Sequence, residues 1–90
     1  MPAWRYTISG RVQGVGFRAF VVRVADKWGL RGEVWNRRDG GVELIAEHAD
    51  AEILDRIQAE LEHGPGHVNT IFVEEVIGRS FTGFEVGPTR

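Results

Sequence analysis

The chain has 90 residues, 42% of them hydrophobic and 27% charged, with a formal net charge of −2 at neutral pH. That composition describes one small globular domain spanning 1–90, with enough apolar residues for a single core and no disorder signature. Cysteine is absent, which excludes disulfides, thiol nucleophiles and cysteine-held metal or iron–sulfur centres. No apolar run approaches membrane-spanning length and Met1-Pro2-Ala3-Trp4-Arg5 lacks the apolar core of a signal peptide, so a soluble cytoplasmic protein without a membrane partner is expected.

Trp4, Tyr6 and Ile8 alternate with Arg5, Thr7 and Ser9, the period-two pattern of a half-buried strand. Gly10 to Arg18 is a glycine loop that ends it. Phe17, Phe20, Val21, Val24, Ala25 and Trp28 then form one apolar stripe at helical spacing, and Gly29 stops the helix. Arg31 to Arg37 and Gly41 to Glu47 read as strands around Arg38-Asp39-Gly40, whose Asp-Gly is a hairpin signal. A second helix is predicted from an Asp50 cap to about Glu62, with Ile53, Leu54, Ile57 and Leu61 inward and Glu52, Asp55, Arg56 and Glu60 outward. After the breaker Gly64-Pro65-Gly66, Val68 to Ile77 is rich in β-branched residues and reads as a fourth strand; Phe84-Glu85-Val86 adds a short fifth.

The order βαββαβ predicts an α+β, ferredoxin-like sandwich: an antiparallel sheet with two helices on one face. In it, strands one and two run parallel with strand three between them. The C-terminal ends of strands one and two then share one edge of the sheet. The glycine loop leaves from the first and Asn36 stands at the second, so Arg18 and Asn36 are expected to converge on one small cleft.

The loop itself has the makings of an anion site. Gly10, Gly14 and Gly16 permit unusual backbone conformations and leave the backbone bare. No Ser, Thr, Asp or Asn precedes the helix to cap its first N–H groups, which a phosphate or carboxylate would satisfy. Arg18, in the first turn, opposes the helix dipole unless an anion accompanies it. The charge distribution agrees: residues 1–45 carry eight cations against four acids, whereas residues 46–90 carry three against nine. Arg5, Arg23, Arg31, Arg56 and Arg79 read as solvated surface, and the overall acidity argues against a nucleic-acid partner.

These residues resemble the acylphosphatases, whose motifs stand here as Gly10-Arg11-Val12-Gln13-Gly14-Val15-Gly16-Phe17-Arg18 and as Gly32 to Glu43, containing Val34, Asn36 and Asp39-Gly40. Phe81 to Val86 is similar to the closing strand of that family. The resemblance implies hydrolysis of carboxyl-phosphate anhydrides, a small-molecule acyl phosphate substrate, and no metal or cofactor. It also implies that Arg18 and the loop hold the phosphoryl group, with Gln13, Gly14, Val15, Gly16 and Phe17 as substrate-binding residues, while Asn36 orients the attacking water. Gln13 is equally suited to bracing the loop. For Asn36, the competing reading is a hairpin residue bonded to its own backbone.

Other readings are less well supported. The RNA-binding domain shares the βαββαβ order but needs exposed aromatics on its third strand, and Gly41 to Ile45 offers none. His48, His63 and His67 read as polar surface rather than metal ligands, and the loop lacks the Gly-Lys-Ser/Thr of a nucleotide site. A non-catalytic binding module remains the rival. The N-terminal part of hydrogenase-maturation carbamoyltransferases is similar and implies a role with carbamoyl phosphate, and regulatory ligand-binding domains also use this fold. Charges near the sheet edges favour a monomer.

Overall fold

The computed structural model describes residues 1–77 and 80–90. Its elements are β1 (Ala3–Arg11), α1 (Phe17–Trp28), β2 (Arg31–Asn36), β3 (Val42–Glu47), α2 (Ala51–Leu61), β4 (His67–Val76) and β5 (Phe84–Val86). The sheet order is β4-β1-β3-β2-β5. β3 lies antiparallel between β1 and β2, as expected. β5 joins β2 in parallel, so the sheet is mixed at that edge rather than wholly antiparallel.

Alternation sorts the strands' side chains between two faces. Tyr6, Ile8, Val34, Val42, Leu44 and Ala46 are fully buried beneath the helices, where Phe17, Val21 and Val24 of α1 and Leu54, Ile57 and Leu61 of α2 meet them. Each such aliphatic contributes about 1.5–3 kcal/mol on burial, far more than helix propensity could. Tyr6 donates its buried hydroxyl to the Leu54 carbonyl at 2.6 Å, tying the sheet to α2. Asp50 caps α2 by accepting from the Glu52 N–H at 3.0 Å. Glu60, expected to face outward, is half-buried and accepts from both Lys27 and Trp28, joining the two helices.

The opposite face holds a smaller cluster of Ala3, Trp35 and Ile45. Beside it Glu47 is 1% exposed, and its carboxylate accepts from the Ser80 and Phe81 N–H groups at 3.0 and 2.8 Å. Those two donors are what make a buried carboxylate tolerable there.

Boundaries moved where pairing decided them. β4 ends at Val76 because its partner strand begins opposite, at Ala3, and Ile77 beyond it is exposed. β1 runs two residues past Ser9: a bulge at Ser9/Gly10 lets Gly10 pair with Val68 and Arg11 with His67. Gly10 therefore belongs to the strand and not to the loop. Its φ is +133°, and a Cβ there would collide with the His67 carbonyl. Arg23, Arg31 and Arg56 are exposed, while Arg5 pairs with Glu74; Arg79 lies outside the described residues.

Candidate active site

The loop from Val12 to Gly16 is anchored at both ends. Val12 and Phe17 are each 1% exposed and sit in the main core. Between them the chain turns through Gly14 at φ +73° and Gly16 at φ +83°, left-handed conformations that cost other residues energy. A Cβ at either glycine would meet nothing within 4 Å, so the backbone there faces open space.

Gly16 is the N-cap of α1 and supplies no side chain to it, and the first turn contains no acid. Among the described residues, no carbonyl accepts from the N–H groups of residues 13–19. Those donors, the positive end of the helix dipole and the Arg18 guanidinium make an electropositive concavity. Arg18 is half-buried and makes no ion pair among the described residues.

Arg18 and Asn36 meet in one cleft of about 340 Å³, with Gly14, Gly16 and Ala19 on the loop and helix side and Val86 from β5. Asn36 is the last residue of β2, two positions beyond the fully buried Val34 and on the same face. Its side-chain amide makes no hydrogen bond among the described residues. The turn bond expected of a hairpin Asn is made instead by Asp39, which accepts from Gly41 N–H. Arg37 binds Asp39 and Glu43 and holds the Asp39 carboxyl below the usual carboxylate range, so hairpin acidity is occupied elsewhere. No carboxylate, histidine, hydroxyl or amine among the described residues lines the cleft.

The other loop residues divide. Gln13 turns its amide away from the cleft and donates to the carbonyls of Arg37 at 2.6 Å and Gly41 at 2.8 Å, so its side chain braces the loop against the β2–β3 hairpin. The side chain of Val15 is exposed outside the cleft, and Phe17 lines the cleft floor. Val86 and Ala19 were not singled out from sequence. The parallel pairing of Val86 with Val34 brings it there, and a three-residue strand signals no such pairing in advance.

A larger groove of about 460 Å³ runs between the C-terminal half of α1 and β5, past Arg23, Asp26 and Thr82. It lies against the C-terminal end of α1, where the helix dipole is negative, and not against the uncapped N-terminus. Among the described residues, no group of three His, Cys, Asp or Glu is arranged to hold a metal, and no helix is long and apolar enough to cross a membrane.

The acylphosphatase family model matches residues 4–86. An acylphosphatase of Cupriavidus necator is 45% identical over 96% of this chain and 94% of its own length. One from Pseudothermotoga lettingae is 43% identical over 98% of this chain and all of its own. The crystal structure of acylphosphatase from Bacillus subtilis superposes with a TM-score of 0.92 at 38% identity, covering 97% of this chain and 99% of that one. Full-length HypF, in a phosphate- and nucleotide-bound form, is matched with a TM-score of 0.81 at 31% identity over 98% of this chain but 12% of its own.

Proposed function

The chain belongs to the acylphosphatase family, and from that premise we propose that it hydrolyses acyl phosphates to carboxylate and inorganic phosphate in the cleft between the glycine loop and Asn36. Arg18 and the N–H groups of loop residues 13–18 hold the phosphoryl oxygens, and the Asn36 amide oxygen accepts a hydrogen bond from the attacking water. The observation that carries this reading is the meeting of unpartnered backbone donors, a cation and an unbonded amide in one cleft without a carboxylate.

The chemistry suits so sparse a site. The leaving group is a carboxylate, which needs no proton near neutral pH, so no general acid is required. In-line phosphoryl transfer asks for positioning and for stabilisation of charge on the equatorial oxygens. Each preorganised donor supplies about 3 kcal/mol of that stabilisation, by the measure of a single oxyanion-hole hydrogen bond. An amide cannot deprotonate water, but it can hold water in line; the water's proton leaves on a phosphate oxygen.

The non-catalytic alternative has less behind it, since the likeness to HypF covers 12% of that chain whereas the Bacillus subtilis acylphosphatase is matched over 99% of its own. We read the protein as a cytoplasmic monomer. The deciding assay is release of phosphate and benzoate from benzoyl phosphate with EDTA present, for wild type and Asn36→Ala. Turnover that the substitution abolishes supports the reading; a folded wild type that binds phosphate without turnover refutes it.

A further inference from the structure

Asn36 stands at a strand end, a weakly held place for a residue that must hold water in line. It is the last residue of β2, paired on one side with Val42 of β3. On its other side β5 ends at Val86, opposite Val34, so regular pairing stops two residues short of it. Strand ends fray, and the carbonyl of such a residue is ordinarily left to solvent.

Residues 87–90 close this gap. Gly87 N–H donates to the Val34 carbonyl at 2.8 Å, and Arg90 N–H donates to the Asn36 carbonyl at 2.9 Å; Pro88, between them, has no N–H to offer. A main-chain oxygen of Arg90 in turn accepts from Arg38 N–H at 2.9 Å, so the backbone of Arg90 brackets the chain as it leaves β2.

The Arg90 side chain grips the back of the same strand. Its guanidinium lies 4.5 Å from the centre of the Trp35 ring and donates to Glu33 Oε2 at 2.8 Å. Glu33 and Trp35 alternate with Val34 and Asn36, which places this grip on the sheet face away from the cleft. Arg90 does not line the cleft and so has no route to substrate except through β2.

We propose that Arg90 is a positioning residue for Asn36: its side chain, clamped on Glu33 and Trp35, docks residues 87–90 along β2 so that the Arg90 N–H fixes the Asn36 peptide and hence the direction of its amide. This rests on the water-orienting role of Asn36. An ångström of misplacement at a reacting centre costs on the order of a hundredfold in rate, so a modest loosening of Asn36 costs about tenfold.

The test compares Arg90→Ala, Arg90→Lys and Glu33→Gln in the full chain. Benzoyl phosphate turnover, inhibition by inorganic phosphate and thermal melting are measured together with the NMR signals of the Asn36 side-chain NH2. In Arg90→Ala, kcat falls about tenfold while KM and phosphate inhibition stay within about twofold, because the loop and Arg18 are untouched. The Asn36 NH2 signals shift or broaden. Arg90→Lys recovers part of the loss, keeping the charge on Glu33 but not the planar stack on Trp35, and Glu33→Gln shows the same split in smaller measure. An unchanged kcat overturns the proposal, as does a fall in kcat matched by equal weakening of phosphate inhibition. If the wild type turns over no acyl phosphate, the functional reading fails; the clamp is then judged by NMR, where Asn36 signals unmoved by Arg90→Ala overturn it.

Discussion

Gln13 and Arg37 are joined outside the cleft: the Gln13 amide, from the glycine loop, donates to the Arg37 carbonyl at 2.6 Å, one residue past Asn36. A second bond from the same nitrogen reaches the Gly41 carbonyl at 2.8 Å. The glycine loop and the β2–β3 hairpin are thus fixed to each other directly, and not only through the core beneath them. Gln13→Ala is expected to lower stability by about 0.5–1.5 kcal/mol for each lost hydrogen bond and to lower kcat/KM on benzoyl phosphate, with thermal melting and steady-state kinetics as the checks. Unaltered kinetics in a destabilised variant would reduce Gln13 to a purely structural brace.

Arg18 and Asn36 occupy one cleft but are expected to fail differently. Arg18→Ala removes the cation from the phosphoryl site, weakening inhibition by inorganic phosphate and slowing turnover by at least a hundredfold, on the scale of a lost charge-assisted contact. Asn36→Ala leaves phosphate inhibition unchanged and abolishes turnover. Titrating inorganic phosphate into both variants separates the two roles, and equal phosphate affinity in both would contradict the assignment.

Gly16 caps α1 at φ +83°, where an L side chain is strained although space is open. Gly16→Ala is expected to cost about 1–2 kcal/mol of stability. If the chain relieves the strain by reorienting the loop, its N–H groups diverge and phosphate affinity drops with it. Chemical unfolding and phosphate inhibition, measured together, distinguish stored strain from a rearranged cradle.

Tyr6 links stability to alkaline pH. Burial, helped by the nearby Asp55 carboxylate, pushes its phenol well above the ordinary value of 10. The folded state therefore retains a proton that the unfolded chain releases. Its contribution is complete below pH 10 and is lost as pH rises beyond that toward the folded value. Tyr6→Phe removes this part of the alkaline slope and costs about 0.5–1.5 kcal/mol at neutral pH through the lost bond to Leu54. Urea unfolding between pH 8 and pH 11 checks both.

Much of the molecule was legible in the chain. The stripe of Phe17, Val21, Val24 and Ala25 forms α1 as its spacing predicts, and Asp50 caps α2 where expected. The β2–β3 strand ends shifted by one residue because Asp39 takes the Gly41 N–H and Gln13 the Arg37 carbonyl, leaving one bond of that pair, from Arg37 N–H to the Gly41 carbonyl. Glu47 was not anticipated: nothing in its neighbours announces that a carboxylate at the end of β3 will be buried against two N–H groups 33 and 34 residues away.

The chain alone determined what depends on local spacing: two amphipathic helices, alternating strands, a bare glycine loop before an uncapped helix, and the strand order that directs Arg18 and Asn36 toward the same edge. Tertiary structure decided what depends on partners distant in sequence. It assigned Gly10 to a bulge against β4, committed the Gln13 amide to the hairpin, brought Val86 to the cleft wall and laid Arg90 along β2. Periodicity records which face of an element is apolar, because that preference acts on every turn or every second residue. A single hydrogen bond or ion pair between remote segments leaves no period, and it forms only after the sheet has placed its two ends within reach.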